Sequence, residues 1–252
     1  MHQHALDRIT TAQTLLNDEY NELRAEREAL SAFREEVATC QPSQTATPPD
    51  RNDHRTLVSG HQTKTPHARI RAAYRDTVMS VPHYDDVYGN SLSEDIAAEF
   101  GNDLAAGLCH EAPFTEIFKT RLLGVVEEAR DDRTAVLEVL DTERRSLARA
   151  RTEFEEIIAA LGRGSDHPLR RPTRNGDSIE TVRTHHEAVV ARRQDHVQSR
   201  SLPGRLDGHD LCTYLYAEPE WTYPVLRIAA TVEHDLRAVE SRIAETPEQP
   251  SP

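Results

Sequence analysis

The chain has 252 residues, 37% of them hydrophobic, and a formal charge of −13. That apolar share lies below the roughly 45–50% of an ordinary globular domain, which argues against one compact sphere and for helices that each bury a single stripe. No apolar run approaches the roughly 18 residues that span a bilayer, so no membrane partner and a cytoplasmic location are expected.

Residues 1–39 carry the clearest periodicity. Ile9, Leu16, Leu23, Leu30 and Val37 recur every seven residues, with Ala12 and Phe33 between them and Glu19 and Glu26 at the remaining inner positions. A strict seven-residue repeat predicts a coiled-coil helix. Residues 40–65 read as a linker. Pro42, Pro48 and Pro49 stand among Gln, Thr, Ser and Asp, and the stretch has too little to bury to offset its ordering entropy. The helix before it therefore reads as a separable module, and residues 66–246 as a bundle domain.

Within that domain, Pro66 opens a helix carrying Ile70, Tyr74 and Val78, ended by Pro82. Ser91 and Glu94 form a capping box that starts the next helix, which Gly101 breaks or kinks. Residues 115–161 form the longest pattern. Val126, Arg133, Leu140, Leu147, Phe154 and Leu161 occupy one heptad position, and Leu122, Ala129, Val136, Glu143, Ala150 and Ile157 its partner. Arg133 and Glu143 are polar residues inside a seam, the type that fixes register at a cost in stability. Helices follow over 178–200 and 222–245, and residues 247–252 are a tail. The class expected is all-α, an elongated antiparallel bundle of long coiled-coil-like helices.

Two stretches are distinctive. One runs Tyr74-Arg75-Asp76-Thr77-Val78-Met79-Ser80-Val81-Pro82-His83-Tyr84. The other runs Leu206-Asp207-Gly208-His209-Asp210-Leu211-Cys212-Thr213-Tyr214-Leu215-Tyr216 and closes with Thr222-Tyr223-Pro224-Val225-Leu226. Together with the heptads they resemble a haloarchaeal family known only as a domain of unknown function. The resemblance covers most of 66–245, implies an all-α halophile protein, and brings no activity, cofactor or site residue. The acidic surplus points the same way, since Lys64 and Lys119 are the only lysines and Arg supplies every other fixed cation. At molar salt the screening length falls to about 3 Å, so dense carboxylates cease to repel one another.

Candidate chemistry is sparse. His185, His186, His209-Asp210 and Asp235 follow the order used by HD-type metal-dependent phosphohydrolases. Cys212 stands three residues after His209, but a packing cysteine is the plainer reading. Arg170, Arg171, Arg174, Arg192 and Arg193 belong to an arginine-rich stretch over 163–205 suited to phosphates. Tyr84 and Tyr88 in one turn, and Tyr214, Tyr216, Trp221 and Tyr223 in another, are expected to pack together and cap the bundle. No P-loop, nucleophile elbow or cofactor motif is present. The function expected is non-enzymatic, a scaffold or interaction protein whose partner is another protein or a second copy of this chain. Nucleic-acid binding through the arginines is the alternative, and a phosphohydrolase around His209 and Asp210 a distant third.

Overall fold

The computed structural model describes residues 2–42, 65–109, 113–166, 179–199, 202, 210–216 and 221–245. It is all-α, with helices α1 (His2–Thr39), α2 (Pro66–Thr77), α3 (Tyr84–Val87), α4 (Leu92–Phe100), α5 (Asn102–Cys109), α6 (Glu116–Asp166), α7 (Ile179–Gln198), α8 (Leu211–Leu215) and α9 (Pro224–Glu245), and a 3₁₀ turn at Val78–Ser80. Most of the linker expected at 40–65, the tail, Arg170, Arg171, Arg174 and His209 lie outside the described residues.

The punctuation follows the local chemistry. Thr65 caps α2, its hydroxyl accepting from the Ala68 amide, with Pro66 at the first helical position, where a missing N–H costs nothing. Ser91 and Glu94 make the expected reciprocal capping box. Gly101 separates α4 from α5 at φ +90°, a backbone angle that disfavours any side chain. At the end of α1, Lys119 donates to the carbonyls of Ala38 (2.7 Å) and Cys40 (2.9 Å). One of the chain's two lysines thus satisfies orphan carbonyls at the negative end of a helix.

Contacts divide the chain into two compact units, residues 1–20 with 136–252 and residues 21–135. The dividing points fall within α1 and α6. In the first unit Ile9 and Ala12 of α1, Leu147, Phe154 and Ile157 of α6, Val182 and Val189 of α7 and the Val225–Val239 face of α9 share one core. Arg151 reaches Thr10 and Gln13, while Arg144 stacks over Tyr20, so α1 and α6 run antiparallel there. Arg183 bridges to Glu240 and His186 to the Ala229 carbonyl, which sets α7 antiparallel to α9.

In the second unit Leu30, Phe33 and Val37 of α1 pack with α2, α4, α5 and the start of α6. Phe33 meets Tyr74 edge-on at 5.1 Å and stacks on Phe100 at 5.9 Å. Such aromatic pairs add roughly 0.5–1.5 kcal/mol beyond their burial. Arg34 pairs with Glu127 and Lys119 with Ala38, so α1 and α6 are antiparallel here too.

The seam of α1 is buried at Ile9, Ala12, Leu16, Leu30, Phe33 and Val37, while Leu23 is half-buried. The two aromatic turns belong to different units, and within its own unit Tyr84 packs on Tyr88 and Tyr216 on Trp221.

Candidate functional site

The polar residues of the heptad seams are the starting point, because a charge inside a helical interface must find a partner. In the second unit Arg133 of α6 donates through Nε to Glu26 of α1 (3.0 Å) and through Nη1 and Nη2 to both oxygens of Glu99 on α4 (2.6 and 3.0 Å). The other Glu26 oxygen accepts from the Tyr88 hydroxyl at 2.7 Å and lies 3.1 Å from His83 Nε2. Burial weakens the charged form of Arg133, but Glu99 and Glu26 outweigh it and hold the guanidinium firmly protonated. Beside them the buried Tyr74 donates to Asp95 at 2.7 Å; burial and that carboxylate both push its phenol up. The cavity left among these groups is about 30 Å³, the size of one water.

In the first unit the central group is Glu143 of α6, which is fully buried. Arg193 of α7 donates to both its oxygens (2.8 and 2.7 Å), His196 Nε2 lies 2.8 Å away, and the Tyr216 hydroxyl donates at 3.3 Å. Burial drives the Glu143 carboxyl up, but the hydrogen bonds from His196 and Arg193 outweigh it and hold it below the ordinary carboxylate range. Arg193 also reaches Ser146 at 3.0 Å and Cys212 Sγ at 3.7 Å. Burial pushes the Cys212 thiol up to about 12, which keeps it protonated and a poor nucleophile. Above this cluster α6 and α7 leave a groove of about 480 Å³, walled by Arg145, Ser146, Arg149 and Glu153 on one side and Arg192, Asp195, His196 and Ser199 on the other.

Arg193 does not offer the phosphate contact expected of it. It is 3% exposed, and Glu143 takes both terminal nitrogens. Arg192 does line the groove, with Nη2 on Glu153 at 2.5 Å. Asp210 caps α8, accepting from the Thr213 amide (2.8 Å) and hydroxyl (2.9 Å). His186 gives its Nε2 to the Ala229 carbonyl at 3.0 Å. Among the described residues, which do not include His209, no group of three His, Cys, Asp or Glu is placed to hold a metal. Arg145, Arg149 and Glu99 were not legible as site residues. The only signal for the first two was a polar stripe, Thr142, Arg145, Ser146, Arg149 and Glu153, at helical spacing on α6.

Each distinctive stretch adds residues in or beside one of these clusters. The first contributes Tyr74, His83 and Tyr84 in the second unit, the other Asp210, Cys212, Tyr214 and Tyr216 in the first. A family profile described as a domain of unknown function, DUF7260, matches residues 7–240. The chain belongs to that family. The match takes in most of α1 together with the bundle helices, whereas the resemblance read from the sequence began at residue 66. No curated protein and no solved structure matches the chain.

Proposed function

We propose that this member of the DUF7260 family is a non-enzymatic scaffold or interaction protein of a salt-rich cytoplasm. One observation carries the reading: the titratable groups inside the seams are engaged with one another. Arg133 closes on Glu26 and Glu99, Glu143 on Arg193 and His196, and Asp95 on Tyr74. A general acid or base must reach a reacting atom, whereas groups closed in this way fix helix register. The charge of −13 with only two lysines supports the salt-rich setting, since molar salt screens the self-repulsion of dense carboxylates.

Full-length protein in molar KCl should stay helical, melt at a higher temperature than in dilute buffer, and cross-link at stoichiometric yield to one protein partner or to a second copy. Light scattering and cross-linking mass spectrometry read the outcome. A lone monomer that turns over a panel of phosphomonoesters, with a melting point indifferent to salt, would contradict both halves of the proposal.

Nucleic-acid binding is the second reading. Arg192 favours it, together with Arg145 and Arg149 on the wall opposite.

A further inference from the structure

The groove between α6 and α7 is lined by the guanidiniums of Arg145, Arg149, Arg192 and Arg193 and by the carboxylates of Glu153 and Asp195. Arg149 Nε and Arg192 Nη2 both donate to the same oxygen of Glu153, at 3.0 and 2.5 Å. At Glu153 two guanidiniums share one carboxylate, so their remaining N–H groups face the groove alongside Asp195. Each fork also has five N–H donors to place. Arg145 stands one turn earlier on the same wall, its side chain 71% exposed and paired at 3.3 Å with Asp141. Ser146 accepts from Arg193, so its own hydroxyl hydrogen is left to donate.

Glu143 beneath the groove adds no net negative charge, because Arg193 closes on it bidentately. Against a background of −13, a concave surface with the exposed guanidiniums of Arg145, Arg149 and Arg192 offers an anion a density of N–H donors. Arginine suits phosphate because its planar fork matches two oxygens at once. The volume of about 480 Å³ lies within the roughly 300–1,000 Å³ of small-molecule sites.

We infer that this groove binds a small phosphorylated ligand carrying at least two phosphate groups, held by Arg145, Arg149 and Arg192 with Ser146. Glu153 pre-positions two of these arginines and competes with the ligand for them. Site and ligand are independent of the scaffold role, which stands or falls on its own test.

The probe is inorganic pyrophosphate, titrated calorimetrically into the full chain at the lowest KCl concentration that keeps it helical by circular dichroism. Saturable binding at one site is expected. Arg149→Ala and Arg192→Ala should each weaken it by about tenfold. Glu153→Gln should strengthen it by freeing both forks, and Arg24→Ala on α1, whose side chain is 58% exposed, should leave it unchanged. Circular dichroism of each variant confirms that the fold persists.

A parallel titration uses a labelled DNA duplex. Absence of pyrophosphate binding, or binding indifferent to both arginine variants, overturns the proposal. Duplex binding abolished by those variants while pyrophosphate fails to bind assigns the groove to nucleic acid and overturns it equally.

Discussion

Replacing Glu143 with alanine is expected to destabilise the protein by about 3–5 kcal/mol, the cost of leaving a buried charge uncompensated. Arg193 is 3% exposed and would lose both terminal hydrogen bonds to a carboxylate. His196 and Tyr216 would lose a partner as well. The pair Glu143→Leu with Arg193→Met should recover most of that loss, because a well-packed apolar pair is often as stable as a buried ion pair. Glu28→Ala, which breaks the exposed i,i+4 pair with Arg24, should stay within about 0.5 kcal/mol. Denaturant melts of the four proteins decide it.

The same residue sets a pH dependence. The folded carboxyl is held below its ordinary value of 4.5. Its contribution is therefore fully present above that value and is lost as pH falls through the folded one. The Glu143→Leu, Arg193→Met double variant should flatten the acid limb of the melting-temperature profile. An unchanged limb would mean that Glu143 is not ionised in the folded protein.

Alanine at Leu16 or Leu30 should each cost about 2–5 kcal/mol, the range for emptying a buried leucine site. Both are essentially inaccessible to solvent. Leu23 lies between them on the same heptad but is half-buried, and its replacement should cost about 1 kcal/mol. The losses should not depend on protein concentration, since the partners of this seam lie within the chain, in α6 and the helices packed with it. Equal effects at all three positions, or effects that vanish on dilution, would mean that the seam meets a second chain.

Much of this architecture was legible beforehand, and the reason is periodicity. Every apolar position of the α6 heptads from Leu122 to Leu161 is buried, because a seven-residue repeat reports which face of a helix turns inward. The capping box at Ser91 and the break at Gly101 were equally plain, since both depend on local backbone chemistry. Partners were not legible. Arg133 and Glu143 could be recognised as polar seam residues, but Glu26 lies 107 residues from Arg133 and Arg193 lies 50 from Glu143. A face pattern does not say which distant side chain meets it. Arg193 was therefore read as a surface cation, although its exposed neighbour Arg192 differs from it by one position on the helix.

The division of the chain was hidden for a related reason. Composition marks residues 40–65, whereas contacts divide α1 after Tyr20 and α6 after Ala135. The heptads run unbroken through both points. What changes is the set of helices packed alongside, α7, α8 and α9 in one unit and α2, α4 and α5 in the other.

Native-state hydrogen exchange on the intact chain tests most directly whether α1 is an integral part of this structure. The amides of Ile9 to Leu16 should be as slow as those of Leu147 to Phe154 in the same core, and those of Leu30 to Val37 as slow as those of Leu122 to Ala129 in theirs. Rapid exchange along the whole of α1 while α6 stays protected would contradict the account and make α1 a module that folds apart from the rest.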